Sequence, residues 1–130
     1  PMTTSRPIGV TILAILAVIA AVIAGIHTLQ YLHLFPFFLG PVTFFGFDLL
    51  GAVMWGVLCA IYVWVAKMLW EMDQQGWLFV VIVACLTLVF DFLAVIGGST
   101  LNAELPSIIV AALILAYCLW PSTREAFAQA

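Results

Sequence analysis

Charge is what this chain has least of. Of its 130 residues three are basic and six acidic, 7% in all, whereas an ordinary soluble domain carries about 25%. A nucleic-acid partner requires clustered Lys and Arg to meet phosphates. Arg6, Lys67 and Arg124 are scattered, which excludes that class and polybasic docking on anionic lipid alike. Three cysteines, Cys59, Cys85 and Cys118, each sit in an apolar run without CxxC spacing. They read as small buried hydrophobes rather than ligands or redox centres.

Catalytic signatures are also missing. There is no glycine-rich phosphate loop and no HxxxH or ExxH ligand pair, so neither a metal nor any other cofactor is predicted. Ser99, Thr100 and Ser107 have no nucleophile elbow around them, and enzymatic activity is not expected. No internal repeat, coiled-coil arm or low-complexity tail is present.

What is there is hydrocarbon. Two thirds of the residues are hydrophobic and the mean hydropathy is +1.31. A soluble domain of this size buries only part of its surface, so the bilayer is the solvent that fits. A spanning helix needs about 20 mostly apolar residues. Four segments qualify, at about 8–29, 44–69, 77–97 and 105–120. The fold class is all-α: one domain over 1–130, a four-helix transmembrane bundle. Pro106 is expected in the first turn of the fourth helix, where its missing N–H costs nothing. Met2 reads as the natural start, with Pro1 an addition from cloning. The first span exceeds the roughly 7–15-residue apolar region of a signal peptide, so a retained span is expected.

With four spans, the N-terminus, the middle connection and the C-terminus share one face. Arg6, Lys67 and Arg124 all fall on it, and the connections 33–41 and 98–104 hold no Lys or Arg. The positive-inside rule makes that face cytoplasmic, giving a multi-pass protein of the inner (cytoplasmic) membrane. Trp70, Trp77 and Trp120 mark its interface. Tyr31 and the phenylalanines of FPFFLGPVTFF mark the opposite one, where YLHLFPFFLGP is too apolar for a free loop and should lie along the interface. In the middle connection Lys67 and Glu71 are spaced for a weak helical pair.

Small residues locate the inward faces, because they let backbones approach. Ala84, Thr87, Asp91, Ala94 and Gly98 form a stripe in the third span. Asp48, Ala52, Gly56 and Ala60 form one in the second, Ala17, Ala20, Ala24 and His27 in the first, and Glu104, Ser107 and Ala111 in the fourth. At 1.5 Å per residue Asp91 lies about 20 Å from Trp77, in the outer third of the core. Asp91, Asp48, His27 and Glu104 thus belong at one level on inward stripes, as a proton, ion or interhelical polar site. A charged Asp at mid-membrane depth costs about 2.5–3.5 kcal/mol on insertion scales. A protonated Asp can donate a hydrogen bond to a neighbouring helix, and a charged one needs His27 as a cation or a bound ion. The plainer reading is interhelical glue, worth about 0.6 kcal/mol per contact. Asp48, Glu104 and His33 are expected near enough to the interface to be hydrated. His27 is the one histidine at helix depth able to ligate a haem or chlorin.

The opening Arg6-Pro7-Ile8-Gly9-Val10, the turn from Trp70 to Trp77, and the ending Tyr117, Pro121, Arg124 and Phe127 resemble a diffuse group of small four-span prokaryotic membrane proteins. The resemblance covers most of the chain and implies its topology, without lending an activity. That group's turn is usually richer in basic residues. The proton-coupled small multidrug exporters carry a carboxylate in the middle of span one, and this chain has none.

The leading expectation is a non-catalytic integral membrane subunit or scaffold that packs against itself or a larger complex through exposed small-residue faces. The alternatives are a small oligomeric proton- or ion-coupled transporter built on Asp91 and Asp48, and a cofactor-holding subunit using His27.

Overall fold

Lipid offers no partner to a backbone N–H, so an apolar chain of this kind satisfies its amides internally by coiling. The computed structural model describes residues 8–37 and 40–128, with the backbone alone at 122 and 126–128. Four helices are long and apolar enough to cross a membrane: α1 (Ile8–Tyr31), α2 (Asp48–Trp70), α3 (Gln74–Ile96) and α4 (Leu101–Cys118). A short α5 (Pro121–Ala128) follows. All four expected spans are present, and the chain is a multi-pass membrane protein in contact with the bilayer.

Three helix starts differ from expectation: α3 begins at Gln74 rather than near residue 77, and the other two shift for a local reason. α2 begins at Asp48 rather than near residue 44 because Phe44–Phe47 are spent on a turn. Phe45 (φ 54°) and Gly46 (φ 80°) are left-handed, and Phe47 N donates to the Phe44 carbonyl at 2.8 Å. α4 begins at Leu101, after an extended Thr100. Pro106 therefore lies inside the helix and not in its first turn, and it withholds the N–H that would have met the Asn102 carbonyl. The other boundaries follow familiar chemistry. The Asp73 side chain caps α3 by accepting from Gln75 N at 3.0 Å, Gly98 (φ 115°) ends it, and Pro121 opens α5.

Consecutive helices are neighbours, and α4 closes the ring against α1, as short connections dictate in a bundle. Trp77 Nε1 donates to the Cys118 carbonyl at 2.8 Å, tying the start of α3 to the end of α4. The start of α1, the 71–73 turn and α5 therefore share one end, here the α5 end. Segments 32–37 and 40–47 and the 97–100 turn share the other, the loop end. Arg6, Pro7, Phe38, Leu39 and the Phe127 side chain lie outside the described residues.

The small-residue stripes are the bundle interior, except that on α3 the stripe stops at Ala94, Gly98 being exposed beyond the helix end. Ala17, Ala20, Ala24, Ala84, Ala94 and Ala111 are buried within the single chain, so these faces are already occupied and do not stand open for association. The outer surface is Ile15, Val22, Val53, Val89, Phe92, Ile109 and similar side chains. The stripe expected on α2 fails at its ends. Steps of four residues advance about 40° each around a helix, so Asp48 and Ala60 fall on opposite margins of the face. Ala60 is exposed, and the buried line runs through Gly51, Ala52, Trp55, Leu58, Tyr62 and Val65. At Gly51 the Tyr31 ring presses against α2: a Cβ there would sit 2.5 Å from its Cε1.

Candidate functional site: a buried carboxyl pair with a histidine

Three of the four ionisable side chains singled out above meet inside the bundle, toward the loop end. Asp91 comes from the next-to-last turn of α3, Glu104 from the first turn of α4 and His27 from the last turn but one of α1. Asp91 and Glu104 are 0% exposed and His27 4%. The expectation that Glu104 is hydrated is overturned. Because α4 starts at Leu101, Glu104 is carried a turn further into the helix and onto the stripe it shares with Ser107 and Ala111, so it faces the interior.

The polar atoms are only partly satisfied. Ser107 Oγ donates to Asp91 Oδ2 at 2.8 Å. His27 Nδ1 pairs with Gln30 Oε1 at 3.2 Å, and its ring lies 4.7 Å from that of Trp55. His27 Nε2 is 3.8 Å from Glu104 Oε2, beyond hydrogen-bonding distance. His27 Nε2, Asp91 Oδ1 and both Glu104 oxygens have no hydrogen-bond partner. The two carboxyl groups are within reach of each other, a contact that becomes a hydrogen bond only when a proton lies between them. Buried polar atoms in native proteins are almost always paired. Four unpartnered atoms converge on one spot, where a proton would pair two carboxyls or join imidazole to carboxylate.

Asp48 does not join this cluster. It stands at the margin of α2, its side chain 34% exposed, with Oδ2 3.3 Å from His33 Nε2 and Oδ1 accepting from Thr43 Oγ1 at 3.1 Å. The anticipated four-membered site is thus three buried groups and one rim pair. Its rotation off the interior follows from the same drift of the α2 stripe.

Other buried polar groups surround the acids. Tyr62 and Thr87 hydroxyls lie 2.6 Å apart, with Thr87 Oγ1 also donating to the Val83 carbonyl at 2.7 Å. Gln30 Nε2 donates to the Pro36 carbonyl at 3.3 Å. Gln30 and Tyr62 escaped the sequence reading. Gln30 was open to discovery, since it lies three residues after His27 on the same face. Tyr62 was marked only by a hydroxyl inside an apolar run, which needs a partner when buried.

Among the described residues no three His, Cys, Asp or Glu side chains converge as a metal site. A planar macrocycle on His27 does not fit the geometry, because the ring is enclosed, set against Trp55 on one side and aimed at Glu104 on the other. The Lys67–Glu71 pair does not form: the ion pairs among the described residues are His27–Glu104 and His33–Asp48. No family model, no curated protein and no solved structure matches the chain.

Proposed function

We propose that this chain is a proton-handling protein of the cytoplasmic membrane, with both termini on the cytoplasmic face, in which Asp91, Glu104 and His27 take up and release protons in the service of ion-coupled transport. The observation that carries the reading is the enclosure of three ionisable side chains with four unpartnered polar atoms. Intramembrane ionisable groups are expensive, and they recur in proton relays and substrate pathways. Each group has its role. Asp91 is held in place by Ser107 and accepts or donates the proton shared with Glu104. His27 is the alternative proton site, stabilised as a cation by whichever carboxyl is ionised. A chain of this length encloses no pathway alone, so transport requires an assembly. Lys67 and Arg124 on the α5 end assign that end to the cytoplasm, in keeping with the resemblance to small four-span prokaryotic membrane proteins.

The second reading is the non-catalytic subunit, in which the same polar groups only fasten helices. It is favoured by two bonds that cross between helices, Ser107 to Asp91 and Tyr62 with Thr87. Proteoliposomes separate the two. With a potassium diffusion potential as the driving force, dye-reported proton uptake is expected from the unmodified protein and is expected to vanish in Asp91→Asn and Glu104→Gln variants that still purify as the same assembly. If proton uptake is absent throughout and Asp91→Leu alone loosens the assembly, the subunit reading replaces the transport one.

A further inference from the structure

Two stretches near the ends of the chain, around Gly9 and from Tyr117 to Arg124, take no part in the buried acid cluster, yet the fold brings them together at the α5 end. A groove of about 380 Å³ runs between the first turns of α1, the last turn of α4 and α5. Small-molecule sites occupy roughly 300–1,000 Å³. Ile12 and Ala116 give it apolar walls. Ile8, Ala116 and Trp120 flank its mouth and are exposed, so it opens sideways, where a spanning bundle meets lipid.

One polar atom faces this apolar space. Thr123 lines the groove and is 1% exposed, and its Oγ1 has no hydrogen-bond partner. A helical threonine can return its hydroxyl to the carbonyl one turn back. Thr28 and Thr87 do so, at 3.0 and 2.7 Å, and Thr123 does not. Gly9 makes room for the hydroxyl: a Cβ there would stand 3.1 Å from it.

Beside the hydroxyl, two features favour a negative charge. α5 opens at Pro121, and Arg124 N donates to the Trp120 carbonyl at 3.1 Å. The amides of residues 122 and 123 therefore meet no carbonyl within the helix, and such a helix end attracts anions. Arg124 itself is exposed and, among the described residues, joins no ion pair. Glu125 stands about 200° round the helix from Thr123, so it faces away from the groove.

We propose that this groove holds one anionic glycerophospholipid from the leaflet at the α5 end. An acyl chain lies between α1 and α4, an ester carbonyl accepts from Thr123 Oγ1, and the phosphate sits by the first turn of α5 and Arg124. An apolar tail joined to an oxygen-rich head, at the depth of an interfacial tryptophan, is what a bilayer supplies there. A site for one molecule differs from docking on a charged leaflet, which needs several cations. The inference stands apart from the proton-handling reading, because the groove and the buried acids lie at opposite ends of the bundle.

The test is native mass spectrometry of the full chain, delipidated in mild detergent and titrated with dioleoyl phosphatidylglycerol or dioleoyl phosphatidylcholine. One phosphatidylglycerol per chain is expected to be retained at concentrations where phosphatidylcholine is not. Ala116→Phe fills the groove from its exposed side and is expected to abolish that retention. Thr123→Val keeps the shape and removes the hydroxyl, and is expected to weaken retention about three- to tenfold. Its thermal unfolding without lipid should be unchanged or later, since the lost hydroxyl bonds nothing in the protein. Arg124→Gln is expected to reduce the preference for phosphatidylglycerol about fivefold, and Lys67→Gln to leave it unchanged. No retained lipid, equal retention of both headgroups, or a lipid-free dimer cross-linked through position 116 would each overturn the proposal. So would retention indifferent to Ala116→Phe or to Thr123→Val, a preference that survives Arg124→Gln or falls with Lys67→Gln, or earlier unfolding of lipid-free Thr123→Val, which would assign the hydroxyl to the fold.

Discussion

The two halves of this bundle solve the same packing problem with different chemistry. In the half near α5, the interior is filled mainly by Val10, Leu13, Val65, Leu69, Val80 and Ile114, with Cys118 and the unpartnered hydroxyl of Thr123 at its edge. In the half near the loops, His27, Gln30, Asp91, Glu104, Ser99 and Ser107 occupy equivalent inward positions. Removing such groups from water costs several kcal/mol unless each finds a partner, and four of their atoms find none. The contrast teaches that apolar packing is concentrated at one end and buried ionisable groups at the other.

The contrast can be broken most severely by moving an acid. Val80 lies on the same inward face of α3 as Asp91 but in the apolar half. Val80→Asp is expected to destabilise the bundle by about 2.5–3.5 kcal/mol, read as earlier unfolding in detergent micelles. Unfolding at the unmodified protein's position would mean that the α5 half is not dry. Next in size is Gly51→Val, which drives a side chain into the Tyr31 ring and is expected to cost about 1–3 kcal/mol by overpacking, with loosened α1–α2 contact visible by cross-linking. Ser107→Ala removes the donor to Asp91 Oδ2 and should cost about 1–3 kcal/mol by leaving a fifth atom of the cluster unpartnered. Its carboxyl infrared band should shift, while the α5 half keeps its thermal behaviour. Tyr62→Phe deletes one interhelical hydrogen bond and is expected to cost about 0.6 kcal/mol. The smallest effect belongs to the rim. Asp48→Asn breaks a partly exposed pair with His33 and should change stability by no more than about 0.5 kcal/mol, shrinking further in high salt. A large loss there would place Asp48 in the core after all.

The positions of the spans were legible because nothing but lipid matches twenty apolar residues in a row, and the stripes on α1, α3 and α4 were legible because three-and-four spacing keeps residues on one face. Those stripes also set Asp91, His27 and Glu104 on inward faces, and in the fold all three are buried, with His27 Nε2 3.8 Å from Glu104 Oε2. Asp48 was misjudged for an identifiable reason: a repeat of strictly four residues looks like a stripe on paper but drifts around the helix. Sequence alone puts Glu104 at the interface, because Pro106 reads as a helix start. Thr100, Gly98 and the Pro41 contact set the start earlier, and only their mutual hydrogen bonding reveals it.

Composition and the spacing of small residues determined by themselves that this chain crosses a membrane four times and which faces of three helices turn inward, since both follow from the solvent and from helical periodicity. Which acids meet, which is left at the rim, and that segments 40–47 and 97–100 hydrogen-bond to each other were decided by tertiary structure alone. They depend on how far each helix is rotated and where each one begins, and those are set by contacts between residues distant in the chain.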